Sequence, residues 1–453
     1  MNEKRLPEKK VIAFAFSMFG ASIFYSLVNS YFNYYVTDIA GVDSATLGTA
    51  NFIIKLLMVV LVVVFGALVQ NGSSKRFGKY RKWLVVATPI LTIATILTFT
   101  KIEGSDIFMA LWYCIMYALA SGFHSLAGNA QLALMREMGK TDEDQRRLST
   151  RRSLFQDISK ILFSASFIPL LTLIGNGEQN ATGYFWTTVI IAAIAFFGYV
   201  ALFKVSKEYD IYTEETKIKA TKLSASEMAS AILRNPPLII LLILETIKFT
   251  AYMVFISSFA YYFQYILQDF TAITLTTTIA SVVSVVASFF AQPIIKYIGR
   301  KSAGVVSLAF YTAGALIPRF LAPNIVVFII GFCLIYFGMS LQTCAGVLMF
   351  SDTATYYENK TGKNATGFIM GLYTFPVQLG LALSSGILNW SLAGIGYEAG
   401  IELSASQIVG MENIILLIPG IMFLVSTILA LVYPLSEKKM KQIETELAQK
   451  SAA

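Results

Sequence analysis

Twelve apolar runs, each long enough to cross a lipid bilayer, leave this 453-residue chain few folds to adopt. They lie near 11–37, 46–70, 83–101, 107–135, 153–174, 184–204, 236–265, 272–297, 303–321, 325–351, 366–395 and 408–433. A bilayer core takes about 20 apolar residues per helix. Backbone donors and acceptors find no water there, so a spanning segment has to bond within itself. The runs therefore predict an all-α membrane protein with twelve transmembrane helices. Composition agrees: 56% of residues are hydrophobic and 14% charged, where soluble domains carry roughly a quarter charged. The first run is too long for a cleavable signal, and no small-residue cleavage site follows it. Pro236 and Pro237 suit the first turn of a helix, where no backbone donor is lost.

The net charge of +8 suggests nucleic acid at first sight. That reading fails, because the basic residues sit between apolar runs and form no polar face. Thirty of the 35 Lys and Arg residues fall at the N-terminus, in alternate loops and in the C-terminal tail. The opposite loops hold essentially Lys101 and Arg319. Cytoplasmic loops are the basic ones, so both termini are expected in the cytoplasm of a multi-pass cell-membrane protein. Cys114, Cys333 and Cys344 lie inside apolar runs and form neither a disulfide framework nor a zinc spacing. No metal site or cofactor is expected. Trp83, Trp112, Trp186 and Trp390 sit near span ends, as interfacial anchors do.

Short echoes recur about half a chain apart. Phe32-Asn33-Tyr34-Tyr35 ends span 1 and Phe259-Ala260-Tyr261-Tyr262 ends span 7. Gly78-Lys79-Tyr80-Arg81-Lys82 follows span 2 and Gly299-Arg300-Lys301 follows span 8. Leu134-Met135 closes span 4 and Leu348-Met349 closes span 10. Their order is preserved. They predict two pseudo-symmetric six-helix halves, 1–205 and 234–435, joined by a cytoplasmic linker at 206–233 and followed by a tail at 436–453. Parallel six-helix repeats with a site between them are the plan of the major facilitator fold. The basic turns, with Lys79, Arg81, Arg300 and Lys301, are expected to pair with acids or helix C-termini and act as a cytoplasmic gate. Positive-inside topology alone explains them equally well.

Charges inside spans are costly and usually functional. Five lie well inside: Lys55, Asp157, Lys160, Glu245 and Lys248. Asp157 and Lys160 are three apart, as are Glu245 and Lys248, which puts each pair on one helix face. Tyr252 extends the second face, and Arg152, Gln156 and Lys160 form a stripe on span 5. Span 1 carries Ser22, Tyr25, Asn29 and Asn33 on one face. Span 4 carries Ser121, His124, Ser125, Asn129 and Gln131. Span 11 carries Tyr373, Thr374, Gln378 and Ser384, with Pro376 as an expected kink. Neutral hydrogen-bonding groups beside aromatic rings suit a polyhydroxylated ligand. Plain interhelical hydrogen bonding by Ser, Asn and Gln is the competing reading.

Several stretches resemble the glycoside–pentoside–hexuronide:cation symporter family, the melibiose permease-like branch of the major facilitator superfamily. Tyr34-Tyr35-Val36-Thr37-Asp38-Ile39-Ala40-Gly41 resembles its YYYTD-x-x-G signature. Phe77-Gly78-Lys79-Tyr80-Arg81-Lys82-Trp83 resembles its loop 2–3 motif. Thr141-Asp142 with Gln145-Arg146, Leu148 and Arg152 resembles its loop 4–5 pattern. Ala260-Tyr261-Tyr262-Phe263 with Tyr265, and Gly299-Arg300-Lys301, match the second half. The run from Asp352-Thr353 to Lys360-Thr361-Gly362-Lys363 resembles the loop 10–11 motif. The resemblance implies a sugar or glycoside substrate bound by Ser22, Asn29, His124, Gly128 or Asn129, Arg152, Thr374 and Gln378. It adds Asp142 and Arg146 to the expected gate.

The departures matter too. Cation-coupled members carry carboxylates on spans 2 and 4. Here the matching span 2 positions are Met58 and Val62, and the span 4 match is Gly128 or Asn129. The family's span 11 lysine matches Gln378, and its acidic span 1 sugar ligand matches Ser22. A hard cation wants charged oxygen ligands, so the usual Na⁺ site is expected to be absent. Lys55, Asp157 and Glu245 remain as a coupling or charge network, with a proton or no ion as the coupled species. The cavity leans positive, which favours an acidic ligand.

The sequence thus predicts a transporter in the lipid bilayer, moving a small sugar, glycoside or acidic sugar derivative by alternating access. A carrier of a non-sugar amphipathic or anionic solute is an alternative, and so is a non-transporting membrane receptor or scaffold. No nucleophile–base set or phosphate loop points to an enzyme.

Overall fold

The computed structural model describes residues 5–71, 76–139, 141–210, 230–321, 324–362, 365–400 and 402–452. Side chains at 60, 62–71, 136, 142, 146, 366, 367, 371, 448 and 450–452 lie outside that description. Most of the expected linker, 211–229, lies outside it as well.

The spanning helices are α1 (Glu8–Tyr34), α2 (Ser44–Asn71), α3 (Arg81–Thr98), α4 (Asp106–Met138), α5 (Asp142–Ile174) and α6 (Ala181–Val205). The second set is α7 (Pro236–Tyr261), α8 (Ala272–Ile298), α9 (Arg300–Phe320), α10 (Ile325–Thr361), α11 (Phe368–Gly394) and α12 (Ala405–Val432). Among the described residues, eleven helices are long and apolar enough to cross a membrane, and the described apolar part of α2 is Ser44–Val59. The fold is all-α, as the apolar runs require. α5 starts at Asp142 and α10 ends at Thr361. Both reach about three turns beyond the expected apolar edges, because polar residues at a bilayer surface can continue a helix that hydropathy alone would end. α11 is interrupted by a 3-10 turn at Leu372–Thr374, just before Pro376. The proline's missing donor accounts for that break.

Helix starts follow capping chemistry. Thr141, Asn180, Asn235, Asn324 and Ser404 each accept a backbone N–H from the first turn of the helix they precede. Close crossings use small residues. A Cβ on Gly20 would sit 2.6 Å from the Ala195 Cα, and one on Gly338 2.6 Å from the Ser307 carbonyl. Such contacts let α1 approach α6 and α10 approach α9 backbone to backbone.

The two halves repeat a pair of devices. α1 and α7 each end in a π-helical turn, Tyr35–Ile39 and Tyr262–Ile266, at the echoed tyrosines. The turns before α3 and α9 each place a glycine at positive φ, Gly78 at 84° and Gly299 at 86°. Only glycine adopts that backbone without strain. A carboxylate a few residues past the last spanning helix of the same half then receives the helix N-terminus. Asp210 accepts the backbone N–H groups of Lys79, Tyr80 and Arg81 at 2.7–2.9 Å. Glu437 accepts that of Arg300 at 2.7 Å. Negative charge at a helix N-terminus is favourable.

α13 (Glu437–Ala452) was expected only as a tail. Its Met440 and Ile443 are buried, and Asn359 on α10 donates to Glu446 at 2.8 Å.

Within the first half, α1 packs on α5 and α6, α3 on α4 and α6, and α2 on α4. Within the second, α7 packs on α11 and α12, α9 on α10 and α12, and α8 on α10. Across the halves, α2 meets α11, α5 meets α8 and α1 meets α7.

Candidate functional site

Where α1, α4 and α5 face α7 through α11, the helices enclose a central cavity of about 390 Å³. Nine residues expected to bind ligand line it: Ser22, Tyr25, Asn29, His124, Gln156, Lys160, Glu245, Lys248 and Tyr252. The spacing on α1 brings three of them to one wall. The i, i+3 spacings on α5 and α7 deliver the ion pairs. Lys160 donates to Asp157 at 3.4 Å, and Lys248 to Glu245 in a close buried contact. Glu245 and Lys248 are 7% and 8% exposed, so their charges meet each other rather than bulk water.

Five expected ligand-binding residues stand outside the cavity lining. Asn33 is buried beyond its end, where its Oδ1 accepts from Asn51 at 3.4 Å and Asn389 at 3.2 Å. Asn129, Arg152 and Gln378 are half-buried on neighbouring faces, and Thr374 is exposed in the 3-10 turn. The buried Arg152 Nε has no hydrogen-bond partner among the described residues. Of the charge network, Asp157 is half-buried against Lys160. Lys55 lies off the cavity with its ammonium 4.8 Å from the ring centre of Tyr117.

The structure adds groups that the sequence reading missed. Gln342 on α10 donates to Glu245 Oε1 at 2.7 Å, while its own carbonyl accepts from Ser307. It thereby fixes the carboxylate that holds Lys248. Its signal was available, since a glutamine amid an apolar run needs a partner. Tyr31, Phe163, Phe249, Tyr311, Phe332 and Tyr336 supply aromatic wall. Tyr252 meets Tyr311 edge-on at 6.3 Å and Phe332 stacks on Tyr336 at 5.2 Å. In a chain this rich in Phe and Tyr, no spacing singles these rings out. Two buried polar atoms of the lining, Ser22 Oγ and His124 Nδ1, have no partner among the described residues. The His124 ring lies 4.6 Å from that of Phe24, which holds the imidazole at the wall.

One end of the cavity is sealed by bonds between the halves, on the side opposite the termini. Tyr265 and Tyr397 donate to Asp38 Oδ1 at 2.5 and 2.7 Å, while Thr37 of the same half holds Oδ2 at 2.7 Å. Thr37 and Tyr261 share a 2.8 Å hydrogen bond. Ser257 donates to the Asn29 carbonyl at 3.1 Å, and Trp390 to Thr49 at 3.3 Å. Outside the spans, burial pushes the Tyr397 hydroxyl above the usual tyrosine range, and the Asp38 charge pushes it further. It therefore stays a donor.

Three of the expected gate residues find the kinds of partner expected of them, an acid or a helix C-terminus, each within its own half. Arg81 Nε donates to the Phe203 carbonyl at 2.9 Å, at the end of α6. Lys301 donates to the Leu431 carbonyl at 2.8 Å, at the end of α12. Arg300 pairs with Asp352 of the same half. Lys79 stands over the Tyr80 ring at 5.1 Å. Arg81 and Lys301 thus brace their halves internally at helix C-termini, and Arg300 does so through an ion pair. Asp142 and Arg146 have side chains outside the described residues.

Comparison with known proteins agrees with this architecture. The chain is 23% identical over 459 residues to an isoprimeverose transporter of Lactiplantibacillus pentosus, covering 100% of this chain and 94% of that one. It is 24% identical over 451 residues to a putative sulfoquinovose importer of Salmonella typhimurium, covering 98% and 94%. The crystal structure of a mutant of the nucleoside transporter NupG superposes with a TM-score of 0.69 at 11% identity, covering 94% of this chain and 99% of that chain, and so shares the fold. The MFS/sugar transport protein family matches residues 13–437. The chain is a multi-pass membrane transporter and belongs to that family, the melibiose permease-like branch that its signature runs resemble.

Proposed function

We propose that the transporter carries a small sugar or glycoside bearing an acidic group, by alternating access around the central cavity. The observation that carries this reading is the chemistry of the lining. Two lysines face one glutamate, Ser22 and His124 present unpartnered polar atoms, and aromatic rings form the walls. Hydroxyls take the neutral groups, a sugar's C–H face stacks on the rings, and an acid group accepts from the ammonium N–H groups of Lys160 and Lys248. A relative named for sulfoquinovose import supports an acidic sugar, and one named for isoprimeverose supports a sugar generally.

In this reading both termini are cytoplasmic and the bonded end faces outward. The halves 1–205 and 234–435 then rock as units, and the layer of Asp38, Tyr265 and Tyr397 closes the outer side. Within-half braces at Arg81, Arg300 and Lys301 keep each bundle rigid while it moves. The cavity does no covalent chemistry.

Reconstituted protein in proteoliposomes tests this by counterflow with methyl glucuronide and methyl glucoside as probes. The acidic probe should exchange at the lower half-saturating concentration. Lys248→Ala should raise that concentration about tenfold, the loss of one charge-assisted contact. Equal handling of both probes by wild type and variant would remove the acidic-group assignment. A second reading, an amphipathic non-sugar solute, is favoured by the apolar stretch of wall at Phe249, Ile256 and Phe259. Flat counterflow with sugars, together with efflux of lipid-like compounds, would establish it.

A further inference from the structure

We propose that Lys55 is the proton-carrying group of this transporter, which makes sugar movement proton-linked. This rests on the transport reading above and concerns a residue outside the cavity lining.

Lys55 is 7% exposed. It stands eleven residues into α2, about 16 Å from the end of that helix and so near the bilayer midplane. Among the described residues, no carboxylate is placed to neutralise it. α2 holds no Asp, Glu, Arg or His and no second Lys. α11, packed along α2, holds none of the five types. α4 has no acid between Asp106 and Glu137, and α1 none between Glu8 and Asp38. The titratable groups facing Lys55 are Tyr117, whose ring centre lies 4.8 Å away, and Cys114, both on α4. A π face attracts the ammonium without fixing its proton.

The other bases around the cavity differ. Lys160 has Asp157 and Lys248 has Glu245. Arg152 keeps its charge under all conditions. Among the described residues near the cavity, Lys55 is the amine that is buried, without an acid, and able to release its proton.

Its position ties that proton to the transport cycle. Phe52, one turn nearer the outer end, meets Trp390 of α11 with ring centres 5.3 Å apart. Gly48, one turn further, packs against Asn389 and Trp390. This α2–α11 seam is the inter-half contact that parts when the outer side opens. Opening it lets external water reach Lys55, and the amine takes a proton to become the ammonium. Closing the seam and opening the inner side returns the amine to its neutral form and delivers that proton inward. One proton is bound and one released per cycle, with no other co-reactant.

The test uses full-length protein in proteoliposomes with a trapped pH-sensitive dye, and methyl glucuronide and methyl glucoside as probes. Wild type should acidify the lumen as sugar enters, and an inward proton gradient should raise accumulation at least tenfold. Lys55→Met and Lys55→Arg, fixed neutral and fixed charged, should both lose the dye response and the gradient effect. Lys55→His should keep the response and shift its pH midpoint to lower pH, since imidazole titrates below an amine. Wild-type counterflow with no dye response overturns the proposal. So does a dye response that survives in Lys55→Met. Should folded Lys55→Met lose counterflow of glucuronide alone, Lys55 belongs to ligand binding and the proposal fails. Absence of counterflow for every probe in wild type would refute the sugar reading instead, and an unresponsive dye then refutes this one separately. If neither Met nor Arg variant folds, the wild-type proton-to-sugar ratio and the Lys55→His midpoint decide.

Discussion

Removing the Tyr397 hydroxyl should shift the protein towards a state open on the side opposite its termini. Tyr397 belongs to the loop between α11 and α12, and its hydroxyl donates to Asp38 Oδ1 at 2.7 Å. That carboxylate also accepts from Tyr265 at 2.5 Å, and the two tyrosine hydroxyls lie 3.0 Å apart. A hydrogen bond to a charged group is worth about 1.5–3 kcal/mol net. Losing one bond across the halves should therefore change the closed-to-open ratio about 10- to 150-fold. Asp38→Ala removes the shared acceptor of both inter-half bonds and should shift it further. Tyr265→Phe should resemble Tyr397→Phe, because each removes one donor to the same oxygen. The assay is the distance between spin labels at Ala45→Cys, in the first half, and Glu402→Cys, in the second, both at exposed positions. The native cysteines Cys114, Cys333 and Cys344 are replaced first. The variants should gain a longer-distance population that wild type lacks. Identical distance distributions in wild type, Tyr397→Phe and Asp38→Ala would refute the role given to these bonds.

Other expectations follow from the same geometry. Asp210→Ala should lower thermal stability in detergent by about 1–2 kcal/mol, because three backbone N–H groups at the start of α3 lose a charged acceptor. Unchanged unfolding would show that water replaces the cap. Gly78→Ala should also destabilise, since its φ of 84° is strained for any side chain and the added Cβ meets Asp210. Glu245→Gln should weaken acidic-probe binding less than Lys248→Ala does, because it leaves the lysine charged; the order of their half-saturating concentrations checks this. Gln342→Leu should alter binding by freeing Glu245 from its α10 partner; an unaltered half-saturating concentration would count against it. Burial holds the Tyr397 hydroxyl protonated beyond the tyrosine range of about 10. The label distances should therefore stay constant as pH rises from 7 to 9, and a shift over that range would contradict it.

Much of the site was legible. Lys160 of the α5 pair, both members of the α7 pair and the Ser22, Tyr25 and Asn29 stripe reach the cavity, because charged and polar side chains in lipid have to turn inward. Asn33 has the right spacing but stands beyond the cavity's end, where it bonds Asn51 and Asn389. Helical spacing fixes a face but not the depth at which a partner helix closes against it. Gln342 carried a signal that went unused. α13 did too, since Met440, Ile443 and Leu447 recur at helical spacing in a segment read only as a tail. The bonded layer of Asp38, Tyr265 and Tyr397 could not be read, because it joins residues more than 130 positions apart.

The sequence alone determined the class of fold. Lipid forces each apolar run into a helix, loop charge distinguishes the two sides, and the echoed turns announce two alike halves. These are local consequences of solvent and chain, so they need no knowledge of neighbours. Only the tertiary structure decided which polar residues share the cavity and which brace a half. It also decided that Lys55 faces a ring rather than an acid. Helix rotation, crossing and depth set those outcomes, and they emerge only when all the helices pack together.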